Sequence, residues 1–150
     1  MREVMTKSMA RNIFYGGSLF FIVIFVGLSI HSHSYIVNVS TDKAALTDSV
    51  ERGKRVWEQK ACINCHTILG EGAYFAPELG NVMSRWGVSD DPQAAFEVLK
   101  GWMDSQPTGI EGRRQMPQFN LTDEQVRDLS EFLRWTDKIR TQDWPPNDAG

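Results

Sequence analysis

Cys62-Ile63-Asn64-Cys65-His66 is the stretch on which the reading of this chain turns. It is C-x-x-C-H, the signature of covalent c-type haem attachment. Two cysteines three residues apart place both sulfurs on one face of a helical turn, beside the adjacent vinyl groups of the macrocycle. His66, four residues beyond Cys62, aims an imidazole at the iron. Other uses of the pattern fit less well. A thioredoxin-like C-x-x-C needs a βαβ setting, and the flanking sequence shows none. A zinc site would have to recruit His31 and His33, which lie far upstream. A Cys62–Cys65 disulfide stays open on compartment grounds.

The totals around the motif set bounds. The chain has 150 residues, enough for one globular domain, with 16 basic and 19 acidic side chains for a net charge of -3. That balance argues against a nucleic-acid partner, which usually meets a strongly basic surface. The 8 Phe, 5 Trp and 3 Tyr are too many for a disordered chain. With 2 Cys, an all-cysteine zinc site or a four-cysteine iron–sulfur cluster is impossible.

Charge is unevenly spread. Arg2, Lys7 and Arg11 against Glu3 give the first eleven residues a net +2, and no formally charged residue occurs from Asn12 to Thr41. Asp42 onward carries the remaining 13 basic and 18 acidic residues, a net -5. Inside the uncharged stretch, Ile13 to Ile30 reads IFYGGSLFFIVIFVGLSI. As a helix it spans about 27 Å, close to a hydrocarbon core of about 30 Å. A cleaved signal peptide should end in small residues, but Leu28-Ser29-Ile30-His31 is bulky. A buried core helix would need a larger domain around it. The stretch therefore reads as a membrane anchor over 13–35. The positive-inside rule leaves residues 1–12 cytoplasmic and exports the residues beyond the anchor, to the periplasm in a bacterium. Gly16, Gly17 and Ser18 would permit close approach of a partner helix in the lipid.

After a linker over 36–47, the spacing predicts short helices. Asp48-Ser49-Val50-Glu51 fits a capping box with Asp48 as the cap. Val50, Gly53, Trp57 and Ala61 then share a face, on a helix ending near Lys60. Asp91-Pro92 is an N-cap with proline at the first helical position. Ala95, Phe96, Leu99, Trp102 and Met103 form the apolar stripe behind it. Thr122 to Gln125 is a second capping box, followed by Val126, Leu129, Phe132, Leu133, Thr136 and Ile139. No segment alternates convincingly as a strand. The domain over 48–140 is all-α with long loops at 70–80 and 107–120. The tail over 141–150, with Asp143-Trp144-Pro145-Pro146, is extended. So few apolar helix faces leave the core short of filling, which a buried cofactor would supply.

A second axial ligand is expected on the far side of the haem from His66. Of the exported methionines, Met103 lies on a helix stripe and reads as packing, while Met83 sits beside Trp86 in a loop. Met116-Pro117 lies in an extended segment just before the last helix, where a thioether can bend over the open face. Met116 is therefore the expected ligand and Met83 the alternative. His/Met ligation closes both faces and raises the potential. Such a haem carries electrons and takes no substrate.

From Asp48 to about Ile139 these features resemble class I cytochrome c. Gly53 and Trp57 match the small residue and nearby aromatic at which that family's first and last helices cross. Pro77-Glu78-Leu79 matches its Pro-x-Leu. That likeness implies that the Pro77 carbonyl accepts a hydrogen bond from the His66 ring. Over nearly the whole chain the sequence is similar to the small cytochrome c subunit of bacterial nitric oxide reductase. The likeness rests on Met9-Ala10-Arg11-Asn12-Ile13 leading into Gly16-Gly17-Ser18, on Leu69 to Val82 (LGEGAYFAPELGNV) and on Gln106-Pro107-Thr108-Gly109. Gly112-Arg113-Arg114, Met116 to Leu121 (MPQFNL) and Asp143-Trp144-Pro145-Pro146-Asn147 add to it.

That resemblance implies an electron-transfer subunit. It would take electrons from a periplasmic cytochrome c or cupredoxin on one covalent haem c. It would pass them to a large multi-span subunit whose haem b and non-haem iron reduce two NO to N2O and water. This chain would hold no catalytic group of its own. The family also implies a calcium ion near the subunit interface, with Gly72 and Tyr74 as ligands here; carbonyl and phenol oxygens need partner carboxylates to hold such a cation. Arg113 and Arg114 have two readings, as partners of the haem propionates or as a solvated or subunit-contacting loop. The competing functions are a free-standing membrane-tethered electron shuttle and a haem sensor with an open iron face.

Overall fold

The computed structural model describes residues 5–142, so the Trp144-Pro145-Pro146 tail and Arg2 lie outside the described residues. The chain divides into two compact units, one up to Val39 and one from Ser40.

The first unit is a single helix, α1, Lys7–Tyr35, running on into a wider π turn, Ile36–Ser40. Thr6 caps it by accepting from Met9 N at 3.3 Å. No residue of α1 is buried. A continuous apolar helix with no side chain buried in the protein fold is what a lipid environment requires, since the helix satisfies its own backbone and lipid covers the rest. Among the described residues it is the one helix long and apolar enough to cross a membrane, and it is compatible with single-pass anchoring. An added Cβ on Gly16 or Gly17 would meet nothing within 4 Å.

The second unit is helical and is organised by the crossing of α2, Asp48–Gln59, with α5, Asp123–Asp137. The α2 cap is Thr47, whose hydroxyl oxygen accepts from Val50 N, so the predicted frame is one residue late. Asp48 and Glu51 sit in the first turn instead, where their charge favours the helix dipole. Val50, Gly53, Val56 and Trp57 face inward. Ala61 does not join them, because it lies beyond the helix in a left-handed conformation. The crossing is close at Gly53: a Cβ there would stand 2.0 Å from Asp128 O and 2.7 Å from Phe132 Cβ. Next to it, Asp128 is buried, and its two oxygens accept from Arg52 Nε at 2.7 Å and Nη2 at 2.8 Å. Ser49 donates a third bond. Burial alone would raise the Asp128 pKa, but these donors outweigh it and hold the carboxyl below its ordinary value.

Helix α3, Val82–Arg85, is one turn, and α4, Pro92–Asp104, packs on α5. Asp91 caps α4 as expected, accepting from Gln93 N and Ala94 N at 2.9 and 3.1 Å. Trp102 differs from its predicted core role: it is 45% exposed, with its ring 6.3 Å from Trp86. The α5 capping box is complete, Thr122 accepting from Gln125 N and Gln125 Oε1 from Thr122 N. Ile139 falls past the end of α5.

A two-residue antiparallel pair, β1 Thr67–Ile68 with β2 Glu71–Gly72, was not evident in the sequence. Its turn, Leu69-Gly70, has φ of 54° and 82°, the positive pair that a two-residue hairpin wants but that leucine resists. The turn is held from outside by Glu78. Its Oε1 accepts from Leu69 N at 2.9 Å and Gly80 N at 2.8 Å, and its Oε2 from Gly70 N at 3.1 Å.

Candidate functional site

The site begins where α2 ends. Ala61 (φ 52°) swings the chain into a single 3-10 turn, Cys62–Asn64. Cys65 N and His66 N both donate to Cys62 O, at 3.1 and 2.9 Å. The C-x-x-C-H pentapeptide is thus one tight turn. Both cysteines are free thiols, half-buried, and not joined as a disulfide. Burial pushes the Cys62 thiol from 9.0 up to about 11.

His66 is fixed from behind, its Nδ1 lying 2.8 Å from Pro77 O. A carbonyl only accepts, so Nδ1 carries the proton and Nε2 keeps its lone pair. Burial lowers the ring's pKa, against the opposite pull of the Pro77 carbonyl and of Glu78. Neutral imidazole is the form that ligates a metal. The Trp57 ring stands 6.5 Å from the His66 ring and 6.3 Å from Phe132, which joins the site to the α2–α5 crossing.

In front of His66 lies a slot with two adjoining chambers of about 400 and 780 Å³. Cys62, His66, Pro77, Met116 and Phe119 line both. Leu99, Leu129 and Leu133 wall the smaller chamber; Tyr74, Arg113 and Arg114 edge the larger. Met116 therefore shares the slot with His66. Met83 is fully buried in α3 and lines neither chamber, whereas Met103 reaches the smaller one from α4.

The remaining predicted residues occupy the rim. Arg114 donates from Nη1 to Phe75 O and lays its guanidinium 4.9 Å over the Phe75 ring, which ties the Met116 loop to the loop carrying Pro77. Arg113 is exposed on the larger chamber. Gly72 (φ 126°) runs so close to the His66 carbonyl that a Cβ would stand 2.2 Å from it. Tyr74 is exposed and donates to Gly70 O at 3.2 Å. Among the described residues no group of three or more His, Cys, Asp or Glu could hold a metal ion. Gln118, overlooked in the sequence because a lone loop glutamine carries no signal, donates to Met103 O at 3.1 Å and Gln106 O at 3.2 Å. It moors the Met116 segment to the end of α4.

This donor set fits a haem. Two thiols and a neutral imidazole line the slot with a thioether, the smaller chamber is walled mostly by apolar side chains with Arg85 among them, and the guanidinium groups of Arg113 and Arg114 edge the larger. The volumes fall in the usual range of ligand pockets, about 300–1,000 Å³.

Comparison with known proteins agrees. The cytochrome c family model matches residues 50–137. The nitric oxide reductase C subunit of Paracoccus denitrificans is 69% identical over 150 residues, covering 100% of both chains. The protein of that name from Cereibacter sphaeroides is 68% identical and that from Stutzerimonas stutzeri 53%, again with 100% of each chain covered. An all-α chain with one apolar N-terminal helix and a C-x-x-C-H slot, alike from end to end to these proteins, belongs to the family of nitric oxide reductase C subunits.

Proposed function

We propose that this chain is the electron-transfer subunit of a nitric oxide reductase, receiving electrons from a periplasmic cytochrome c or cupredoxin and passing them to a haem b and non-haem iron subunit that reduces two NO to N2O and water. Its cytochrome c domain implies covalently bound haem c. When bound, that group supplies a one-electron ferric/ferrous couple. Cys62 and Cys65 would hold it through thioethers, and His66 Nε2 and Met116 Sδ would ligate its iron. The observation that carries the reading is that Met116 and His66 line one slot beside the C-x-x-C-H turn. Burial keeps the imidazole neutral, the Pro77 carbonyl orients it, and Leu99, Leu129 and Leu133 wall the smaller chamber with apolar surface. Held by these residues, the group would exchange electrons and take no substrate.

The haem domain is assigned to the periplasm and the N-terminus to the cytoplasm, supported by Lys7 and Arg11 in the first turns of α1 and the absence of charge from Asn12 to Thr41. Exposed α1 would face lipid and the helices of the catalytic subunit. Gly72 and Tyr74 are assigned to a calcium ion at that subunit's interface. The lack of a carboxylate cluster among the described residues means the partner must supply the charge. Arg113 and Arg114, on the larger chamber, are assigned to the propionates. Arg113→Gln with Arg114→Gln should lower the haem potential, because two cations near the iron favour the ferrous state; an unchanged potential removes that assignment.

Purification in a mild detergent tests the function. A multi-span subunit with b-type haem and NO consumption should co-purify. Recovery of this chain alone, under conditions that keep other membrane complexes intact, would favour a free-standing shuttle.

A further inference from the structure

Glu78 is an acid in an unusual place. It is 5% exposed, and its carboxylate is enclosed by backbone amides of Leu69, Gly70 and Gly80. Its own carbonyl accepts from Arg85, and the next residue, Leu79, donates to Thr67 O at 2.9 Å. Those contacts join two short segments. One carries Pro77, whose carbonyl accepts the His66 Nδ1 proton. The other starts at Thr67, the residue after His66. The carboxylate therefore clasps the loop behind the imidazole to the hairpin that leaves it.

Burial alone would raise the Glu78 pKa, yet the Thr67 side chain and the amides of Gly80, Gly70 and Leu69 bring it below its ordinary value. The group is an anion at neutral pH, and it acts on the His66 ring. Arg85, whose own pKa burial lowers, feels the same charge and lines the smaller chamber. A negative charge here favours the ferric state, as does a firm Nδ1–H···O=C bond, which makes the imidazole a stronger donor to iron.

We propose that Glu78 is a positioning residue for the haem: its carboxylate fixes the Pro77 carbonyl behind His66 and holds a negative charge beside the slot, so that it sets the haem's reduction potential. The proposal rests on His66 being an axial ligand.

Three variants of the full-length chain, purified with covalent haem, test it by spectroelectrochemical titration. Glutamine has the same shape but one acceptor oxygen and an NH2 that would confront Gly70 N. Glu78→Gln should shift the ferric/ferrous equilibrium at fixed potential about three- to tenfold toward ferrous, a rise of about 28–59 mV at 59 mV per tenfold. Glu78→Asp keeps the charge but withdraws the carboxylate by one methylene. It should move the potential the same way by less, which keeps the question answerable if the glutamine variant does not fold. Glu97→Gln, on an exposed face of α4, should leave the potential unchanged. A low-spin His/Met spectrum with an unaltered potential in the Glu78 variants, whatever their melting temperature, overturns the proposal. Absence of that spectrum in the unmodified chain would instead overturn the ligand reading on which it rests.

Discussion

Met116→Ala protein should lose the long-wavelength ferric band that marks a thioether on haem iron, turn largely high-spin and fall in potential by on the order of 100 mV or more. The size follows from what is removed. A thioether stabilises the ferrous state, and alanine leaves an open coordination position facing the slot. Met83→Ala separates ligation from packing. Met83 is 0% exposed in α3, so its truncation should cost about 2–5 kcal/mol of stability while the band stays. Met103→Ala, which opens the smaller chamber from α4, should likewise keep the band. Ferric spectra and melting curves of the three variants check this. Loss of the band in Met83→Ala with its retention in Met116→Ala reverses the assignment.

The second large effect lies at the helix crossing. In an ordinary helix Gly→Ala stabilises by about 1 kcal/mol. At Gly53 the sign reverses, because the new Cβ would meet the Asp128 carbonyl oxygen at 2.0 Å, and a backbone atom cannot swing aside as a side chain does. Helices α2 and α5 must separate, which loosens Trp57 against Phe132 and strains the Arg52–Asp128 bonds. Gly53→Ala should cost about 3 kcal/mol or more, a fall in melting temperature of roughly 12–24 °C for a domain of this size. Gly101→Ala is the control: nothing stands within 4 Å of its Cβ on α4, so that change should be neutral or slightly stabilising. Equal melting temperatures for the two variants would contradict the close crossing.

What could be read from the sequence was what local chemistry decides. The Asp91-Pro92 start, the Thr122–Gln125 box and the α5 stripe each depend on residues within one or two turns, and the structure has them. The α2 cap shows the limit. Thr47 and Asp48 are both good caps, and spacing alone does not choose between them. The hairpin at Leu69-Gly70 was invisible because leucine at positive φ is disfavoured locally; it exists because Glu78, nine residues on, supplies the acceptors. Trp102 shows a different limit. Its position on the α4 stripe is right, but the stripe faces the haem slot, so the ring lines a cavity and stays half exposed. The site residues were legible in proportion to their chemistry. C-x-x-C-H is a motif with a mechanism, whereas Gln118 and Glu78 act through backbone groups far along the chain.

The central claim is that electrons pass through this chain's haem on their way to NO. The most direct measurement is anaerobic stopped-flow mixing of the fully reduced, detergent-purified complex with NO, following the c-type and b-type absorbance separately. The account predicts that the c-type haem is reoxidised together with b-type haem, that it keeps its low-spin His/Met spectrum throughout, and that the isolated chain stays reduced under the same NO. A c-type haem that remains reduced while the complex consumes NO, or one that binds NO itself in the isolated chain, would contradict it.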